Sequence, residues 1–458
     1  MGIARNGMIV TVMGLAIASC GGGGTSTPAM PAASPYPLHV SANHRYLVDR
    51  QGSPFLLVGD APQALMVNLS LADADSYLAD RAKNGFNAVW VNLLCADYTG
   101  GRADGTTVGG VAPFTNPKDF STPNEAYFAH CDAVLRLAAK HGLVVLLDPA
   151  ETGSFLAWMH SNGQAKCTSF GKYLGNRYKS FPNIVWLNGN DFQTWSNRDD
   201  DALVTSVAKG IRSSDPAHIQ TIELDYYLSS SLSDSNWASI VGLNAAYTYY
   251  PTYAEVLRDY NLNPVVPVFM IEADYEFENG ADAMRLRHEA YWTYLSGGVG
   301  EVYGNHYVWP FAAGWQANLD TAGVTQLGYC KALLQNRPWY ALVPDQGHSI
   351  VTSGYGTYSA SGSPHDSIST SDYASVASTP DGKLVLAYIP SQRTVTVEMS
   401  RLAGPVTARW YDPTSGTYQP VVGSPFPNSG KVDIPTPGAN SAGPQVTDWV
   451  LVLEASGS

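Results

Sequence analysis

The chain is poor in charge, and above all in positive charge. Asp, Glu, Lys and Arg make up 14% of its 458 residues, with 26 Lys and Arg against 39 Asp and Glu. The formal net charge is −13. Because nucleic-acid binding depends on clustered Lys and Arg, this balance argues against a nucleic-acid partner. Apolar residues account for 45% of the chain, which is enough for large cores in roughly two or three domains.

The chain also has no uninterrupted apolar run of about 18 residues, the length that a membrane-spanning helix needs. The run from Met8 to Ala18 is shorter and follows a positive charge, which indicates a signal peptide. It ends in Ile-Ala-Ser-Cys, which resembles a bacterial lipobox with Cys20 as the lipidated residue; an ordinary signal peptide cut nearby is the alternative. We expect a signal peptide over residues 1–20 and a flexible linker over residues 21–36. The protein is then an exported lipoprotein of the cell envelope, in the outer membrane or periplasm, that contacts the membrane only through its lipid.

Cysteine and the common cofactor motifs are scarce as well. The four cysteines after Cys20 form no C-x-x-C pair, which argues against zinc and thioredoxin-like sites. An exported chain can form disulfides, and isolated buried thiols are the alternative. The sequence has no H-E-x-x-H, no G-x-S-x-G elbow and no G-x-G-x-x-G after its first strand. We therefore expect neither a metal nor a cofactor.

Residues 54–341 alternate apolar strand-like runs with amphipathic helical stretches, a pattern typical of βα units around a parallel sheet. Eight strands are predicted, at residues 55–58, 86–94, 143–147, 184–187, 218–224, 240–243, 268–271 and 300–303. Helices are predicted at residues 71–84, 125–141, 168–178, 199–212 and 281–295. Eight strands over roughly 290 residues predict an α/β fold, a (β/α)₈ TIM barrel over residues 37–343.

After Pro344 the helical pattern stops and short alternating runs follow. Six strands are predicted, at residues 375–378, 384–389, 395–399, 406–412, 432–434 and 449–453. Turn sequences such as Pro380-Asp381-Gly382 separate them. We therefore expect a C-terminal antiparallel β-sandwich over residues 344–458.

Two apolar runs that end in a carboxylate carry the main functional prediction. Residues 186–192 read Trp-Leu-Asn-Gly-Asn-Asp-Phe and place Asp191 just past the fourth strand, while Phe-Met-Ile-Glu ends the seventh strand at Glu272. Residues past the strand ends on the carboxyl face of a barrel point into one pocket. Glycosidic bond cleavage needs two such acids, one as the proton donor and the other as the nucleophile. The alternative is a helix cap at Asp191 and a structural ion pair at Glu272.

Polar and aromatic residues near the other strand ends are candidate substrate contacts, because carboxylates and amides hydrogen-bond sugar hydroxyls and aromatic faces stack on sugar C–H groups. This set consists of Asp60, Asn92, Asp148, Asn190, Tyr247, His306 and Trp309. Tyr247 is also placed to hydrogen-bond the nucleophile, and a packed loop histidine is the alternative for His306. Glu301 lies within the eighth strand, where we expect it to point outward or to form a structural pair.

The barrel resembles the apiosidase-like glycoside hydrolases grouped around glycoside hydrolase family 140, a retaining (β/α)₈ family. The matching segments are residues 55–60, 77–87, 186–191 and 271–272. The resemblance implies that Asp191 is the acid/base and Glu272 the nucleophile. The family usually continues its Gly-Asp with Thr-Ala-Trp, whereas this chain has Ala61-Pro62-Gln63. The missing Trp would be expected to line the sugar site, so the resemblance does not extend to a preference for apiose.

The tail resembles a domain named for collagen binding, through residues 408–413 and 448–453. A collagen partner rests on that name and not on these residues. We expect a retaining glycoside hydrolase, monomeric, that acts on an oligo- or polysaccharide of plant or microbial origin. A non-catalytic glycan- or matrix-binding lipoprotein on a barrel scaffold is one alternative, and a lyase or transglycosylase with the same acids is another.

Overall fold

The computed structural model describes residues 35–226 and 228–456. The predicted signal peptide, its lipidation site Cys20 and the linker up to residue 34 lie outside these ranges. None of the described helices is long and apolar enough to cross a membrane. The described chain begins with a small antiparallel sheet of three strands, β1 His39–Val40, β2 Leu47–Val48 and β3 Pro54–Phe55.

The next sheet is a barrel. In chain order its strands are β4 Leu57–Asp60, β5 Ala88–Asn92, β6 Val144–Asp148, β7 Ile184–Asn188, β8 Gln220–Ile222, β9 Ser229–Ser230, β10 Asn244–Tyr247, β11 Val268–Glu272 and β12 Gly300–Tyr303. β9 is a short antiparallel strand on β10, and the other eight strands of this described sheet run parallel. β12 pairs with β4, which joins the last parallel strand to the first. The predicted TIM barrel is confirmed.

Strands β8 and β10 do not pair with each other, and the side chain of Ser231 bridges them. The Ser231 hydroxyl donates to the carbonyl of Ile222 over 2.6 Å and accepts from the N–H of Ala245 over 2.9 Å. At the other end of the barrel, Leu38 and Leu47 share a core with the first residues of β5 and β6. The small N-terminal sheet therefore closes the amino-terminal end, and the carboxyl ends of the strands stay free to build a site.

Helices surround the barrel: α1 Leu65–Asn68, α2 Leu71–Lys83, α3 Glu125–Lys140, α4 Thr152–Tyr178, α5 Arg198–Ser214, α6 Thr252–Tyr260, α7 Ala283–Leu295 and α8 Ala322–Gln335. Polar side chains cap several of them. Ser70 accepts from the N–H of Asp73 at the start of α2, and Asp282 accepts from the N–H groups of Met284 and Arg285 at the start of α7. These bonds satisfy backbone donors that a helix leaves unpaired in its first turn.

The strands predicted at 86–94 and 218–224 are shorter in the structure, at 88–92 and 220–222, and two other predicted elements of the barrel are misplaced. The helix predicted at residues 168–178 is α4, which begins at Thr152, because Glu151 caps it and because it continues across a bend at Gly163, where φ is 72°. The sixth strand is Asn244–Tyr247 and not residues 240–243. The apolar side chains of Ile240 and Val241 are buried in the core without being in a strand. Helices α6 and α8 were not predicted.

The four cysteines of the described chain are free and buried, so they are isolated thiols and form no disulfides with one another. They are Cys95, Cys131, Cys167 and Cys330.

The C-terminal strands form two antiparallel sheets, as the sandwich prediction requires. They are β13 Val343–Pro344, β14 Val351–Ser353, β15 Ser375–Ser378, β16 Leu384–Ile389, β17 Thr394–Glu398, β18 Val406–Asp412, β19 Thr417–Pro420, β20 Lys431–Pro435 and β21 Trp449–Ala455, with helix α9 Asp366–Thr370 before β15. One sheet has the order β13-β15-β16-β21-β18-β19 and the other β14-β17-β20. The predicted strands at 375–378, 384–389 and 406–412 are confirmed at both ends.

The barrel and the sandwich share a core. Tyr291 of α7 stacks on Tyr388 of β16, with ring centroids 4.8 Å apart. Arg287 of α7 binds both carboxylate oxygens of Asp448, at 2.9 and 3.0 Å, and these two side chains are 2% and 1% exposed. Tyr388 donates a third hydrogen bond to Asp448 over 2.9 Å. The sandwich is therefore joined to the barrel by a buried ion pair as well as by apolar packing.

Candidate active site

The carboxyl ends of β7, β10 and β11 bring the two predicted acids together. Glu272 and Tyr247 are the last residues of β11 and β10, and Asp191 lies shortly after β7. Gly189 and Asp191 have φ values of 69° and 48°, so the chain turns sharply there. Glycine adopts this conformation readily, and Asp is among the side chains that tolerate it. The N–H of Asp191 donates to Oε2 of Glu223 over 3.0 Å, which holds the turn.

The hydroxyl of Tyr247 lies between the two acids. Its oxygen is 2.8 Å from Oδ1 of Asp191 and 2.8 Å from Oε1 of Glu272. The two carboxylate oxygens are therefore separated by no more than two bond lengths of 2.8 Å. The hydrogen bond that the sequence predicts between Tyr247 and Glu272 is present.

Glu272 accepts hydrogen bonds from tyrosines on both of its oxygens. Tyr275 donates to Oε2 over 2.6 Å, and Tyr249 donates to Oε1 over 2.7 Å, beside Tyr247. Gln63, shortly after β4, supports this arrangement, because its Nε2 donates to the Tyr275 hydroxyl over 3.0 Å. Glu272 is 5% exposed, so it is fixed in place and largely shielded from solvent.

Asp191 is held less tightly and is more accessible. Its Oδ2 accepts from the Tyr98 hydroxyl over 2.8 Å, and Tyr98 itself is 40% exposed. Tyr98 belongs to a short 3₁₀ helix, Asp97–Thr99, in the long loop after β5. Gln193 reaches the same hydroxyl over 3.4 Å. Of the two acids, Asp191 is therefore the one that faces outward.

Burial and mutual repulsion hold protons on these acids. Burial, followed by the charge of Asp191, raises the pKa of Glu272 to about 8, although the three tyrosine donors act in the opposite direction. Burial raises the pKa of Asp191 as well, against the donors Tyr247 and Tyr98. Burial and the charges of both neighbours raise the pKa of Glu223. Because ionisation of one acid opposes ionisation of the next, the group retains protons near neutral pH.

A chain of amides forms the floor of the site. Asn92 at the end of β5 donates to Oδ1 of Asn190 over 3.0 Å, and Asn190 donates to Oε2 of Glu223 over 3.3 Å. Asp148 at the end of β6 lies beside Asn92 in the sheet. Oδ1 of Asn92, Oδ2 of Asp148 and Oε1 of Glu223 are buried and accept no hydrogen bond from a described residue. The structure thus brings Asn92, Asp148 and Asn190 to the barrel mouth, with unused acceptors among them.

Asp60 is placed differently from the other predicted contacts. Its Oδ2 accepts from Tyr77 over 2.6 Å and from Arg81 over 3.3 Å, and its Oδ1 accepts from the N–H of Ala61 over 2.8 Å. The side chain is completely buried. Both oxygens are occupied by protein donors, so Asp60 forms a structural ion pair with α2, and we do not retain it as a sugar contact.

His306 and Trp309 lie past β12 on the face that carries the acids. Both bind one carboxylate, with His306 Nδ1 at 3.0 Å and Trp309 Nε1 at 2.8 Å from Oε1 of Glu278. Trp309 is partly buried against the barrel core, and the His306 side chain is half exposed. They line the rim and make no direct hydrogen bond to either acid.

Sequence reasoning missed three of the tyrosines that hold the acids, Tyr98, Tyr249 and Tyr275. A signal for Tyr249 existed, since it follows Tyr247 at the two-residue spacing that places side chains on one face of an extended chain. Tyr275 and Tyr98 lie in loops whose path the pattern does not define. Glu223, which directly follows β8, was not among the predicted site residues. Glu301 lies next to Met270, Leu286 and Leu327 in a small cavity on the helix side of the sheet, outside the site.

The described residues contain no group of three His, Cys, Asp or Glu side chains placed to hold a metal ion. The site provides two acids that share the Tyr247 hydroxyl as a hydrogen-bond partner. Glu272 is buried among tyrosine donors, and Asp191 is the more exposed of the two.

A family model for the "Apiosidase-like, catalytic domain" matches residues 41–341, which include the whole barrel. The chain belongs to this family. A second model, "Putative collagen-binding domain of a collagenase", matches residues 366–454 of the tail. No curated protein matches the chain.

Solved structures agree with the fold. A structure described as a glycoside hydrolase has a TM-score of 0.78 at 22% identity and covers 92% of this chain and 97% of its own. A glycoside hydrolase family 5 protein from Bacteroides vulgatus ATCC 8482 has a TM-score of 0.78 at 21% identity, with 91% and 93% covered. The chain therefore has a glycoside hydrolase fold over both barrel and sandwich, and its family membership supports a glycosidase.

Proposed function

We propose that this protein is a retaining glycoside hydrolase of plant or microbial polysaccharides, with Asp191 as acid/base and Glu272 as nucleophile. The observation that carries the proposal is the Tyr247 hydroxyl, 2.8 Å from an oxygen of each acid. Retaining glycosidases have carboxyl groups about 5–5.5 Å apart, whereas inverting enzymes need about 6.5–9.5 Å to admit water between them. Two bonds of 2.8 Å fit the shorter separation.

The environments of the two acids fit these roles. Three hydroxyls donate to Glu272 and favour the ionised form that a nucleophile requires, against the burial that raises its pKa. Once Glu272 is charged, its repulsion keeps the proton on Asp191. Asp191 also faces the open side, where a leaving group must depart.

The reaction then proceeds in two displacements. A carboxylate oxygen of Glu272 bonds to the anomeric carbon while the glycosidic C–O bond breaks, and Asp191 gives its proton to the leaving oxygen. Asp191 next takes a proton from water, the water oxygen attacks the anomeric carbon, and the bond to Glu272 breaks. Two inversions at one carbon restore its configuration.

The test begins with a screen of aryl glycosides and of complex pectic or bacterial glycans. On the best substrate, Asp191→Ala is expected to lose about 10²–10⁴ in rate, the usual contribution of a general acid, and Glu272→Ala at least as much. Azide should rescue Asp191→Ala on an activated aryl glycoside with retained configuration and Glu272→Ala with inverted configuration, as seen by NMR. Glu301→Ala is the matched control, a buried acid on the neighbouring strand β12 outside the site. Full activity in both site variants would refute the assignment.

We further propose that the protein is exported and monomeric, with Cys20 lipidated. The apolar run before Cys20 and the Gly/Ser/Thr-rich stretch after it support export and lipidation. Radiolabelled palmitate should be incorporated into the wild type expressed in a bacterial host, and not into Cys20→Ser. Equal labelling of both would contradict the proposal.

A further inference from the structure

A cavity opens beside Asp191. Its volume is about 430 Å³, and its walls include Tyr98, Thr152, His160, Asp191, Gln193 and Asp200. This volume lies within the range of about 300–1,000 Å³ that small-molecule sites occupy. Glu272 is not among its lining residues. The cavity is therefore on the outer side of the proposed acid, away from the proposed nucleophile.

This placement decides which part of a substrate the cavity can take. In a retaining glycosidase the nucleophile lies under the sugar that becomes bound, and the acid lies beside the oxygen of the group that leaves. A cavity that contacts the acid and not the nucleophile is positioned for the leaving group. This step rests on the proposed function.

The walls indicate the chemistry of the leaving group. Gln193 and Thr194 are exposed polar side chains, Leu156 and the face of Tyr98 supply apolar contact, and His160 Nε2 lies 2.7 Å from Oδ1 of Asp200. Sugars present hydroxyls and C–H faces that suit such mixed walls. The residues that line the cavity include two acids, Asp191 and Asp200, and no Lys or Arg, which disfavours an acidic sugar. We propose that this cavity binds a neutral sugar residue as the leaving group of the reaction.

The proposal is tested by filling the cavity. Ala157 lines it from an exposed position of α4, so Ala157→Trp blocks it without disturbing the core. Two substrates are compared: the active oligosaccharide, whose leaving group is a sugar, and the glycosyl fluoride of the same released sugar, whose leaving group is a single atom. We expect kcat/KM to fall at least tenfold for the oligosaccharide and to stay within twofold for the fluoride. Ala72→Trp, on an exposed position of α2, is the control and should change neither.

An equal fall for both substrates, or no fall for either, overturns the proposal. If the wild type hydrolyses neither substrate, the proposed function itself is wrong. That result is distinct from the two results that refute binding of the leaving group in this cavity.

A second and independent observation concerns His365, in the segment between β14 and β15. Its N–H donates to the carbonyl of Tyr249 over 2.7 Å, and its ring packs on the Tyr249 ring with centroids 4.5 Å apart. Its Nδ1 hydrogen-bonds Oδ1 of Asp274, whose other oxygen binds Arg285 over 2.7 Å. Tyr249 in turn donates to Glu272. His365, from the C-terminal part of the chain, thus contacts Tyr249, and Tyr249 hydrogen-bonds the proposed nucleophile Glu272.

The backbone at His365 is strained. Its φ and ψ are 64° and −56°, and the N–H of Asp366 donates to the carbonyl of Pro364 over 2.7 Å, which makes a rare form of γ-turn. Such conformations persist where surrounding contacts over-determine them, and they concentrate at functional sites. The geometry points to His365 as a positioning residue for Tyr249 and Glu272.

The test separates positioning from stability. His365→Ala is expected to lower kcat about tenfold with KM within twofold, and His365→Asn, which tolerates positive φ and keeps a polar group, should recover part of the loss. In a Tyr249→Phe background, His365→Ala should have little further effect on kcat, because the hydroxyl through which it acts is gone. His348→Ala is the matched control, since His348 also has a positive φ, of 49°, and stacks on Tyr355 at 3.7 Å. Additive losses in the double variant, or unchanged kcat in His365→Ala, overturn the proposal.

Discussion

The site and the barrel–sandwich interface both bury a carboxylate, and they satisfy it in opposite ways. Glu272 accepts only hydroxyl hydrogen bonds among the contacts found in the described chain, and it lies beside a second acid. Asp448 binds the guanidinium of Arg287 with both oxygens and accepts a hydroxyl as well. A cation compensates the charge at the interface, whereas at the site the charge is left partly uncompensated.

The difference separates structure from reactivity. A buried acid paired with Arg holds two layers together through charge-assisted hydrogen bonds to a permanent cation. A buried acid surrounded by neutral donors keeps a proton that it can release and regain.

Arg287→Met should give the largest change in stability. It leaves Asp448 buried without its cation, a loss that costs about 3–5 kcal/mol of unfolding free energy. Chemical denaturation measures it, while kcat on the best substrate should change little in the protein that remains folded. Arg287→Met combined with Asp448→Asn removes the stranded charge and should recover part of the loss. A stability loss below about 1 kcal/mol would contradict this account of the interface.

Glu272→Gln should raise stability, whereas Arg287→Met lowers it. The expected gain is about 1–2 kcal/mol at pH 9, and the substitution should abolish activity. The pKa of Glu272 rises from 4.5 to about 8 on folding, so the folded state binds this proton more tightly. Wild-type stability therefore falls as pH rises from about 4.5 to 8, a penalty that Gln does not carry. The gain over wild type should accordingly be smaller at pH 5 than at pH 9.

Glu301→Gln is the control for that prediction. Burial raises the pKa of Glu301 to about 8 as well, but it lies outside the site. It should show a similar stabilisation at high pH with full activity. Destabilisation of Glu272→Gln at pH 9 would show that the hydrogen bonds of its carboxylate outweigh the cost of its charge.

Tyr249→Phe should move the pH profile of kcat/KM. It removes one donor to Glu272, which raises the pKa of that carboxyl and shifts the acid limb upward by about one unit, since a hydrogen bond to a charged group is worth about 1.5–3 kcal/mol. Tyr253→Phe, a buried tyrosine of α6 that hydrogen-bonds Ser359 and Ser371, is the control and should leave the limb in place. An unmoved or lowered limb in Tyr249→Phe would exclude this donor as a determinant of the ionisation.

Arg337→Ala should have the smallest effect. Arg337 joins the barrel side to Glu454 of β21 over 3.1 Å, but the Glu454 side chain is about a third exposed at 34%. Pairs that water reaches contribute about 0–1 kcal/mol, so stability should fall by less than about 1 kcal/mol, and activity should not change. A loss as large as that of Arg287→Met would mean that burial is not what distinguishes the two pairs.

The acids could be placed from sequence because a barrel converts chain order into position. The carboxyl ends of parallel strands meet at one face, so Asp191 and Glu272 had to be neighbours once the strands were counted. Tyr98, Tyr275 and His365 could not be placed this way, since loop paths depend on tertiary contacts and not on a period in the sequence.

The misplaced start of α4 and the misplaced sixth strand also have physical causes. Weak helix formers such as Gly153, Ser154 and Gly163 obscured the first half of α4, which tertiary packing nevertheless holds in a helix. The true sixth strand, with two small alanines, was less apolar than the segment before it. Asp60 lies at a strand end as predicted, but no pattern in the sequence indicates that Arg81 pairs with it.

The Tyr247 hydroxyl carries one hydrogen and lies equally close to both acids. Rotation about its C–O bond redirects that hydrogen without moving a heavy atom. As the proposed reaction transfers negative charge from Glu272 to Asp191 and back, the same dipole can turn toward whichever oxygen is charged. The site can thus follow the charge through both half-reactions with the motion of a single hydrogen atom, at almost no reorganisation cost.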